Sequence, residues 1–279
     1  MEKLCQPNLY DYETLASDFD QDAGWSVGHS QATSGDVLTM GNPSLVSTHD
    51  LNAITSARFA MKPMLTVSPE GRRVRLLDAS KRFLDIVGAL GGLILLSLPM
   101  MVIALLIRLE SPGPVIFRQK RMGSGSKPFW FLKFRTMVVD AEQRLASIES
   151  RNESSCGVLF KIKDDPRITK IGRFLRRSSL DELPQLVNIL RGEMSLVGPR
   201  PLQLRDSEKL EAVEPEAYVR RLTVLPGLTG AWQVGGRSET DGFGMLQLDL
   251  EYVEKRSIPL DLMILARTVK AVVRGRGAY

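Results

Sequence analysis

Residues 86–107 read Ile-Val-Gly-Ala-Leu-Gly-Gly-Leu-Ile-Leu-Leu-Ser-Leu-Pro-Met-Met-Val-Ile-Ala-Leu-Leu-Ile and contain no charged side chain. A helix that spans a bilayer needs about 20 apolar residues, so this stretch predicts a membrane segment. Pro99 lies near its middle and removes a backbone hydrogen bond, which predicts a kink. Ser97 can help to satisfy the bent backbone.

Basic residues flank the apolar segment on both sides. They are Arg72, Arg73, Arg75, Lys81 and Arg82 before it, and Arg108, Arg118, Lys120 and Arg121 after it. A spanning helix is expected to carry its lysine and arginine excess on the cytoplasmic side. Two arrangements fit this symmetric pattern: a re-entrant helix that returns to the cytoplasmic face, or an ordinary spanning helix with a tolerated proline.

The charge is divided unevenly along the chain. Residues 1–60 carry a net charge of −6, and because the whole chain carries +5, the remainder carries +11. That basic excess suits anionic lipid headgroups, phosphorylated substrates or, in principle, nucleic acid. Residues 1–75 are polar and show no sustained period, which predicts a disordered N-terminal tail. No early apolar region with a small-residue cleavage site occurs, so no secretory signal peptide is expected.

Cysteine and histidine usage narrows the chemistry. Cys5 and Cys156 lie on opposite sides of the apolar segment, so a disulfide framework is not expected and a reducing cytoplasm fits. The two histidines of the chain, His29 and His49, both precede the apolar segment. Any chemistry beyond that segment therefore has to proceed without imidazole.

The region after residue 110 combines short strands with amphipathic helices. Apolar runs at 115–117 and 129–132 flank a glycine-rich turn at 123–125 and predict two strands. Three sets of apolar residues recur at helical spacing. These are Ile168, Ile171, Phe174 and Leu175; Leu183, Leu186, Val187 and Leu190; and Leu262, Leu265, Val269, Val272 and Val273. The last set belongs to a basic amphipathic helix that suits either a membrane interface or a protein core.

Residues 180–185 read Leu-Asp-Glu-Leu-Pro-Gln and place two carboxylates, Asp181 and Glu182, side by side. The neighbouring serines and Pro184 predict that a helix begins within 179–183. Acidic residues in the first turn of a helix often have only a structural role, because their negative charge interacts favourably with the helix dipole.

The basic residues around this pair support a functional interpretation. They are Arg173, Arg176 and Arg177 before it and Arg200 after it. Arginines and free helix-start amides would form an anion site suited to phosphate, and carboxylates there suit Mg²⁺. A carboxylate can attack phosphorus to give an acyl phosphate. Beyond the apolar segment the sequence contains no G-x-S-x-G, no P-loop and no G-x-G-x-x-G ahead of a helix.

Eight short motifs occur in order along the chain beyond residue 80. They are Lys81–Asp85 (KRFLD), Ser111–Pro114 (SPGP), Phe117–Gly123 (FRQKRMG), Lys133–Met137 (KFRTM), Asp165–Thr169 (DPRIT), Leu180–Leu186 (LDELPQL), Ser195–Pro201 (SLVGPRP) and Pro226–Gly230 (PGLTG). In sequence and order they resemble the motifs of the bacterial sugar transferases, the monotopic phosphoglycosyl transferases. The resemblance runs from about residue 81 to residue 279.

The resemblance implies an activity. Such enzymes transfer a sugar 1-phosphate from a UDP-sugar to undecaprenyl or another polyprenyl phosphate and release UMP. This is the first membrane step in making exopolysaccharide, capsule or another glycan, at the cytoplasmic face of the bacterial inner membrane. Asp181 matches the family's nucleophile, which forms a covalent phosphosugar intermediate, and Glu182 matches the second member of its catalytic dyad. Mg²⁺ is the implied cofactor, with Asp181 and Glu182 as its ligands.

The resemblance also implies a phosphate-binding set and a membrane topology. Lys133, Arg176 and Arg200 match the family's basic positions, and Arg118 and Arg167 are further candidates. The family's membrane segment is a re-entrant helix broken at Ser-Pro. Here one residue separates Ser97 from Pro99. The resemblance favours re-entry over a spanning helix.

The predicted fold is α+β and membrane-associated, with interfacial amphipathic helices. Its three parts are the polar tail at 1–75, a re-entrant membrane helix at 76–110 and a mostly helical cytoplasmic catalytic domain at 111–279. The expected partners are a UDP-sugar, polyprenyl phosphate and inner-membrane lipids. A homo-oligomer is compatible with the sequence, whereas nucleic acid is not expected, because no zinc-finger or aromatic RNA-binding motif occurs.

Two other functions fit the same residues. One is a glycosyltransferase that moves only the sugar to polyprenyl phosphate and releases UDP. The other is a membrane scaffold without enzymatic activity. The sequence does not specify which sugar is transferred.

Overall fold

The computed structural model describes residues 69–144, 162, 165–235 and 242–274, which form a mixed arrangement of helices and short strands. The helices are α1 (Pro69–Leu95), α2 (Ser97–Glu110), α3 (Lys170–Arg177), α4 (Gln185–Arg191), α5 (Leu204–Val213), α6 (Pro215–Arg221), α7 (Ala231–Gly235), α8 (Gly242–Lys255) and α9 (Ile258–Arg274). The strands are β1 (Ile116–Met122), β2 (Pro128–Phe134), β3 (Ser195–Val197) and β4 (Gly227–Thr229). The predicted α+β class and mostly helical content are confirmed.

The apolar segment folds as two helices with a break at Leu96. The parts Leu76–Leu95 and Ser97–Glu110 are bent by 62° at this break. Among the described residues, no single helix is both long and apolar enough to cross a bilayer, and only these two parts together have the required length and composition. The kink expected near Pro99 is present, three residues before the proline.

The backbone at the break is satisfied by groups close to it. The hydroxyl of Ser97 donates to the carbonyl oxygen of Ile94 at 2.8 Å. Pro99 is the third residue of α2, and the first four residues of a helix have no intrahelical acceptor for their N–H groups. Proline is therefore tolerated at this position, while its missing donor prevents the helix from continuing through Leu95.

The first helix is held against the rest of the chain by the charged residues at 81–85. Lys81 forms an ion pair with Asp261 at 2.6 Å and donates to the carbonyl oxygen of Val197 at 2.8 Å. Arg82 donates to two carbonyl oxygens at the end of α4. Asp85 is buried and accepts hydrogen bonds from the backbone N–H of Leu196 and the hydroxyl of Ser195.

The second helix packs against the same α+β domain, formed by the described residues from 111 onward. Ile103 and Ile107 of α2 are buried with Phe134 and Leu175. At the end of α2, the Glu110 carboxylate accepts from the first turn of α3 at 3.0 Å. Both arms of the bent pair are therefore attached to one domain.

The remaining faces of α1 and α2 are apolar and exposed. Their exposed side chains include Leu76, Phe83, Ile86, Val87, Leu90, Ile94, Leu95, Leu98, Met101, Val102, Leu105, Leu106 and Leu109. A contiguous apolar surface of this kind marks an interaction site, typically with a membrane or another protein.

Strands β1 and β2 form an antiparallel hairpin with the register Ile116↔Phe134 to Met122↔Pro128. The turn at Ser124–Ser126 contains Gly125 at φ +62°, a left-handed conformation that glycine adopts without strain. Because successive side chains point to opposite faces of a strand, Arg121 and Lys133 share one face while Arg118 occupies the other.

The hairpin is joined to α4 by Asn188. Its side chain accepts from the N–H of Leu132 at 3.1 Å and donates to the carbonyl of Trp130 at 2.7 Å. Asn188 thereby occupies the edge of β2 and fixes the hairpin beside the segment that carries Asp181 and Glu182.

Strands β3 and β4 pair in parallel and approach very closely. A Cβ atom on Gly227 would lie 2.1 Å from the backbone nitrogen of Gly198 and 2.3 Å from the carbonyl oxygen of Thr229. The N–H of Gly227 donates to the carbonyl of Pro199 at 2.8 Å. This contact sets the path of the chain that leads to Arg200.

One boundary differs from the expectation drawn from sequence. Helix α1 begins at Pro69, so residues 69–75, predicted to belong to the tail, are helical. The amphipathic helix α9 is partly core, since Ile264 is fully buried while Leu262 and Val269 are exposed. Residues 1–68, with both histidines and Cys5, and also Cys156, lie outside the described residues.

Gly227→Ala is expected to lower the free energy of unfolding by about 1 to 3 kcal/mol, because its methyl group would overlap backbone atoms that cannot rotate away. Gly91→Ala is the matched control, since a Cβ there meets nothing within 4 Å. Thermal unfolding of the purified full chain in detergent measures both. Equal unfolding midpoints for the two variants would contradict the close approach of β3 and β4.

Candidate active site

The two carboxylates predicted from sequence lie in a 3₁₀ turn, Leu180–Glu182, that connects α3 to α4. Ser179 enters this turn with φ +54°, an uncommon conformation for a residue other than glycine. The N–H groups of Glu182 and Leu183 donate to the carbonyls of Ser179 and Leu180. These two amides are therefore engaged within the turn.

Asp181 and Glu182 have different surroundings. Glu182 forms an ion pair with Arg200 at 2.7 Å. Asp181 is 7 % exposed, and within the described parts of the chain no hydrogen bond or ion pair engages its carboxylate. One carboxylate is thus committed to an arginine, while the other keeps its lone pairs available.

The electrostatics of the pair follow this difference. Burial, and next the adjacent Glu182 carboxylate, raise the pKa of Asp181 to about 6, against the opposing effect of Lys133, Arg176 and Arg200. Burial acts on Glu182 in the same direction, but Arg200, Lys133 and Arg121 together outweigh burial and hold the pKa of Glu182 below its usual range. Glu182 therefore stays ionised at a lower pH than Asp181 does.

Lys133 and Arg176 bring positive charge to Asp181 from two directions. Lys133 projects from β2, and burial together with the nearby Arg176 lowers the pKa of its ammonium group to about 8. Arg176 lies in the last turn of α3, where its Nε donates to the hydroxyl of Thr136 at 3.0 Å. The predicted basic residues Lys133, Arg176 and Arg200 thus surround the dyad.

Arg200 is positioned by buried groups behind it. The guanidinium of Arg221 donates to the carbonyl oxygen of Arg200 and forms an ion pair with Asp249 at 2.7 Å. Arg221 and Asp249 are both almost fully buried. This second ion pair holds the backbone of Arg200, while Glu182 holds its side chain.

Arg121 is a member of the cluster that was not singled out from sequence. It is 8 % exposed, donates to the carbonyl of Pro201 at 2.8 Å and lies 4.0 Å from the centre of the Phe131 ring. Burial and the neighbouring Arg200 lower its pKa to about 9. The sequence does contain a signal for Arg121: the alternation of side chains along β1 places Arg121 on the same face as Lys133 and Arg118 on the opposite face.

Two of the predicted phosphate-binding residues lie apart from this cluster. Arg118 is exposed on the opposite face of the hairpin from Lys133. Arg167 is buried in an ion pair with Asp165 at 2.6 Å and also donates to the carbonyl of Ala141. Its contacts stabilise the loop before α3, whereas Lys133, Arg176 and Arg200 face the carboxylates.

The carboxylates of Asp181 and Glu182 fit a magnesium ion that is bound partly by the protein and partly by the phosphates of the substrate. Among the described residues, no group of three or more histidine, cysteine, aspartate or glutamate side chains forms a metal cage. Mg²⁺ commonly uses one or two carboxylates, several waters and substrate phosphate oxygens. Asp181 and Glu182 carry oxygen donors of this type, beside cations suited to phosphate.

Comparisons with known proteins identify relatives of this chain. The family model for the bacterial sugar transferases matches residues 76–275. The galactosyl transferase CpsE of Streptococcus agalactiae is 44% identical over 200 residues, which cover 71% of this chain and 43% of that relative. The exopolysaccharide production protein ExoY of Rhizobium meliloti is 36% identical over 228 residues, which cover 81% of this chain and 99% of the relative.

A third relative, the UDP-glucose:undecaprenyl-phosphate glucose-1-phosphate transferase of Caulobacter vibrioides, is 40% identical over 222 residues, which cover 77% of this chain and 78% of the relative. The chain therefore spans less than half of the length of CpsE and nearly all of the length of ExoY. By the family match and by identity across most of a relative's length, this chain belongs to the bacterial sugar transferase family.

Proposed function

We propose that this protein transfers a sugar 1-phosphate from a UDP-sugar to a polyprenyl phosphate, such as undecaprenyl phosphate, and releases UMP. In the first step a carboxylate oxygen of Asp181 attacks the phosphorus that bears the sugar. The bond from that phosphorus to the bridging oxygen breaks, and UMP leaves with the bond's electron pair. In the second step a phosphate oxygen of the polyprenyl acceptor attacks the same phosphorus and releases the Asp181 carboxylate.

The difference between the two carboxylates supports this assignment. A nucleophile needs an accessible lone pair, and Glu182 is already bound to Arg200 at 2.7 Å. The carboxylate of Asp181 has no such partner among the described residues and lies next to Lys133 and Arg176. Asp181 is therefore the group suited to attack, and Glu182 fixes Arg200.

The surrounding cations supply the electrostatic stabilisation that the reaction needs. An anionic nucleophile meets a substrate that already carries two phosphates, and positive groups placed in advance lower the repulsion in the transition state. The charges of Lys133 and Arg176 act on Asp181, and that of Arg200 acts on both carboxylates. Mg²⁺, held by Asp181 and Glu182 when bound, would neutralise phosphate charge at the same place.

The names of the relatives support the substrate class. The Caulobacter relative is named for UDP-glucose, undecaprenyl phosphate and glucose 1-phosphate transfer, and a relative from Salmonella typhimurium is named an undecaprenyl-phosphate galactose phosphotransferase. We infer that this chain uses the same kinds of donor and acceptor in the first membrane step of a polysaccharide.

A re-entrant membrane placement suits the lipid acceptor. Both arms of the bent helix pair attach to one domain, through Lys81 and Asp85 in α1 and through Ile107 and Glu110 in α2. The apolar faces between those attachments are exposed. If these faces lie in one leaflet, the domain stays on the cytoplasmic side, where UDP-sugars are made, and the dyad is close to lipid headgroups.

The released nucleotide tests the reaction. With a panel of UDP-sugars and polyprenyl phosphate, the wild-type protein is expected to release UMP in step with product. Asp181→Asn should abolish turnover while keeping the unfolding midpoint, because an amide cannot serve as the attacking carboxylate. Chromatography of the released nucleotides measures UMP and UDP separately. Release of UDP would instead identify a glycosyltransferase, and no nucleotide-dependent activity would favour the scaffold.

The cation cluster has its own test. Lys133→Ala, Arg176→Ala and Arg200→Ala are each expected to lower kcat/KM by an amount equivalent to about 2 to 4 kcal/mol, because each removes a positive group from the transition state. Arg191→Ala is the control, since Arg191 is exposed at the end of α4. Steady-state kinetics on purified variants measure the effect. Wild-type kinetics in all three cluster variants would refute the anion site.

The membrane topology can be tested with cysteines at Ser80 and Lys127, both exposed, in a variant in which Cys5 and Cys156 are replaced. Re-entry predicts that an impermeant thiol reagent labels neither position until the cells are permeabilised. Pro99→Leu should restore a continuous apolar helix and shift the chain toward a spanning arrangement. If only one of the two cysteines is labelled in intact cells that express the protein with Pro99 unchanged, the helix spans the membrane and re-entry is refuted.

A further inference from the structure

Among the described residues, Arg121 is a deeply buried arginine that, unlike Arg167 and Arg221, forms no ion pair with a carboxylate. Arg135 also lacks an ion pair there, but its two terminal nitrogens donate to Pro112 and Ser111. Arg167 pairs with Asp165 at 2.6 Å and Arg221 pairs with Asp249 at 2.7 Å. Arg121 is 8 % exposed and forms no ion pair within the part of the chain that the structure describes. A buried, unpaired charge is costly, which indicates that an anion from outside the chain completes this site.

The contacts of Arg121 hold its guanidinium in place and leave part of it available. One terminal nitrogen donates to the carbonyl oxygen of Pro201 at 2.8 Å and the other to the side-chain oxygen of Gln119 at 3.4 Å. The group lies 4.0 Å from the centre of the Phe131 ring. The Nε atom is buried and has no hydrogen-bond partner among the described residues. An arginine fixed in this way can bind an oxyanion through its remaining N–H groups.

The position of Arg121 relative to the dyad indicates which anion it receives. One terminal nitrogen of Arg121 donates to the carbonyl of Pro201, the residue after Arg200, and Arg200 forms the ion pair with Glu182 at 2.7 Å. The charges of Arg200 and then Glu182 also act on Arg121 more strongly than those of Asp206 and Asp181. The cations that act most strongly on Asp181 are instead Lys133 and Arg176. Arg121 therefore lies on the Glu182 side of the dyad, away from the nucleophile.

The geometry of phosphoryl transfer completes the assignment. The attacking and leaving oxygens lie roughly in line on opposite sides of the phosphorus. The transferred phosphate must contact Asp181, so the phosphate of the departing nucleotide lies farther from it. We propose that Arg121 binds the phosphate of the leaving UMP, a role that rests on the proposed function and adds a substrate contact to it.

Measuring the two half-reactions separately distinguishes this role from a structural one. UMP is released when the phosphosugar adduct forms, and it takes no part in the transfer from the adduct to polyprenyl phosphate. Arg121→Gln is expected to weaken UMP binding to the Mg²⁺-loaded full chain, measured by calorimetry, by about 10- to 100-fold, the loss of one or more charge-assisted hydrogen bonds. Formation of the phosphosugar-protein adduct from UDP-sugar should slow by a similar factor. Transfer from preformed, nucleotide-free adduct to polyprenyl phosphate should keep its rate.

Lys120→Gln is the matched control, since Lys120 is the preceding residue of β1, carries the same charge and is exposed on the opposite face. It should leave UMP affinity and both half-reactions unchanged. Arg121→Lys keeps the charge and should recover part of the UMP affinity, which also provides a folded variant if Arg121→Gln does not fold.

Three results would overturn the assignment: unchanged UMP affinity in both Arg121 variants, equal slowing of both half-reactions in them, or loss of UMP affinity in Lys120→Gln. Failure of the proposed function gives a different result, because the wild-type protein would then form no phosphosugar adduct at all.

Discussion

Two adjacent carboxylates in a buried turn are the constraint on which the rest of this structure depends. Each carboxylate loses hydration on burial and raises the cost of ionising its neighbour, so the pair requires nearby positive charge. That charge comes from segments that are distant in sequence: Arg121 in β1, Lys133 in β2, Arg176 in α3 and Arg200 after β3. The fold serves to bring these segments to one turn.

Several contacts in the fold produce this arrangement of charges around the turn. Asn188 joins the hairpin to α4, which places β2 beside the 3₁₀ turn. The close approach of Gly198 and Gly227 and the Arg221–Asp249 ion pair fix the backbone on either side of Arg200. The bent helices attach to the same domain, so an apolar surface suited to a membrane is connected rigidly to the polar site.

Much of this architecture could be predicted from local patterns. The alternation around residues 115–117 and 129–132 predicted the β1–β2 hairpin, and the stripe ending at Gly192 predicted α4, which ends there at φ +80°. The uncharged stretch with its proline predicted a bent segment. The dyad and the cations Lys133, Arg176 and Arg200 followed from motifs, and the structure places all of them together.

Other features depend on contacts that no local pattern contains. The parallel pairing of β3 with β4 joins three-residue strands from distant parts of the chain. The sequence of either strand alone therefore does not predict which segment it pairs with. The surroundings of Arg121 are formed by Pro201, which accepts its hydrogen bond, and by the charges of Arg200 and Glu182, all of which are remote in sequence. Arg118 was expected at the site because it belongs to the same motif, but its position in the alternation of β1 places it on the exposed face.

The identity of the nucleophile is the central claim, and mapping the covalent adduct tests it most directly. The purified full chain is incubated with UDP-sugar and without lipid acceptor, then digested and analysed by mass spectrometry. The account predicts a mass increase of one sugar phosphate, located on Asp181 and lost when polyprenyl phosphate is added. An adduct on Glu182 or on any other residue, or turnover to UMP without any adduct, would contradict it.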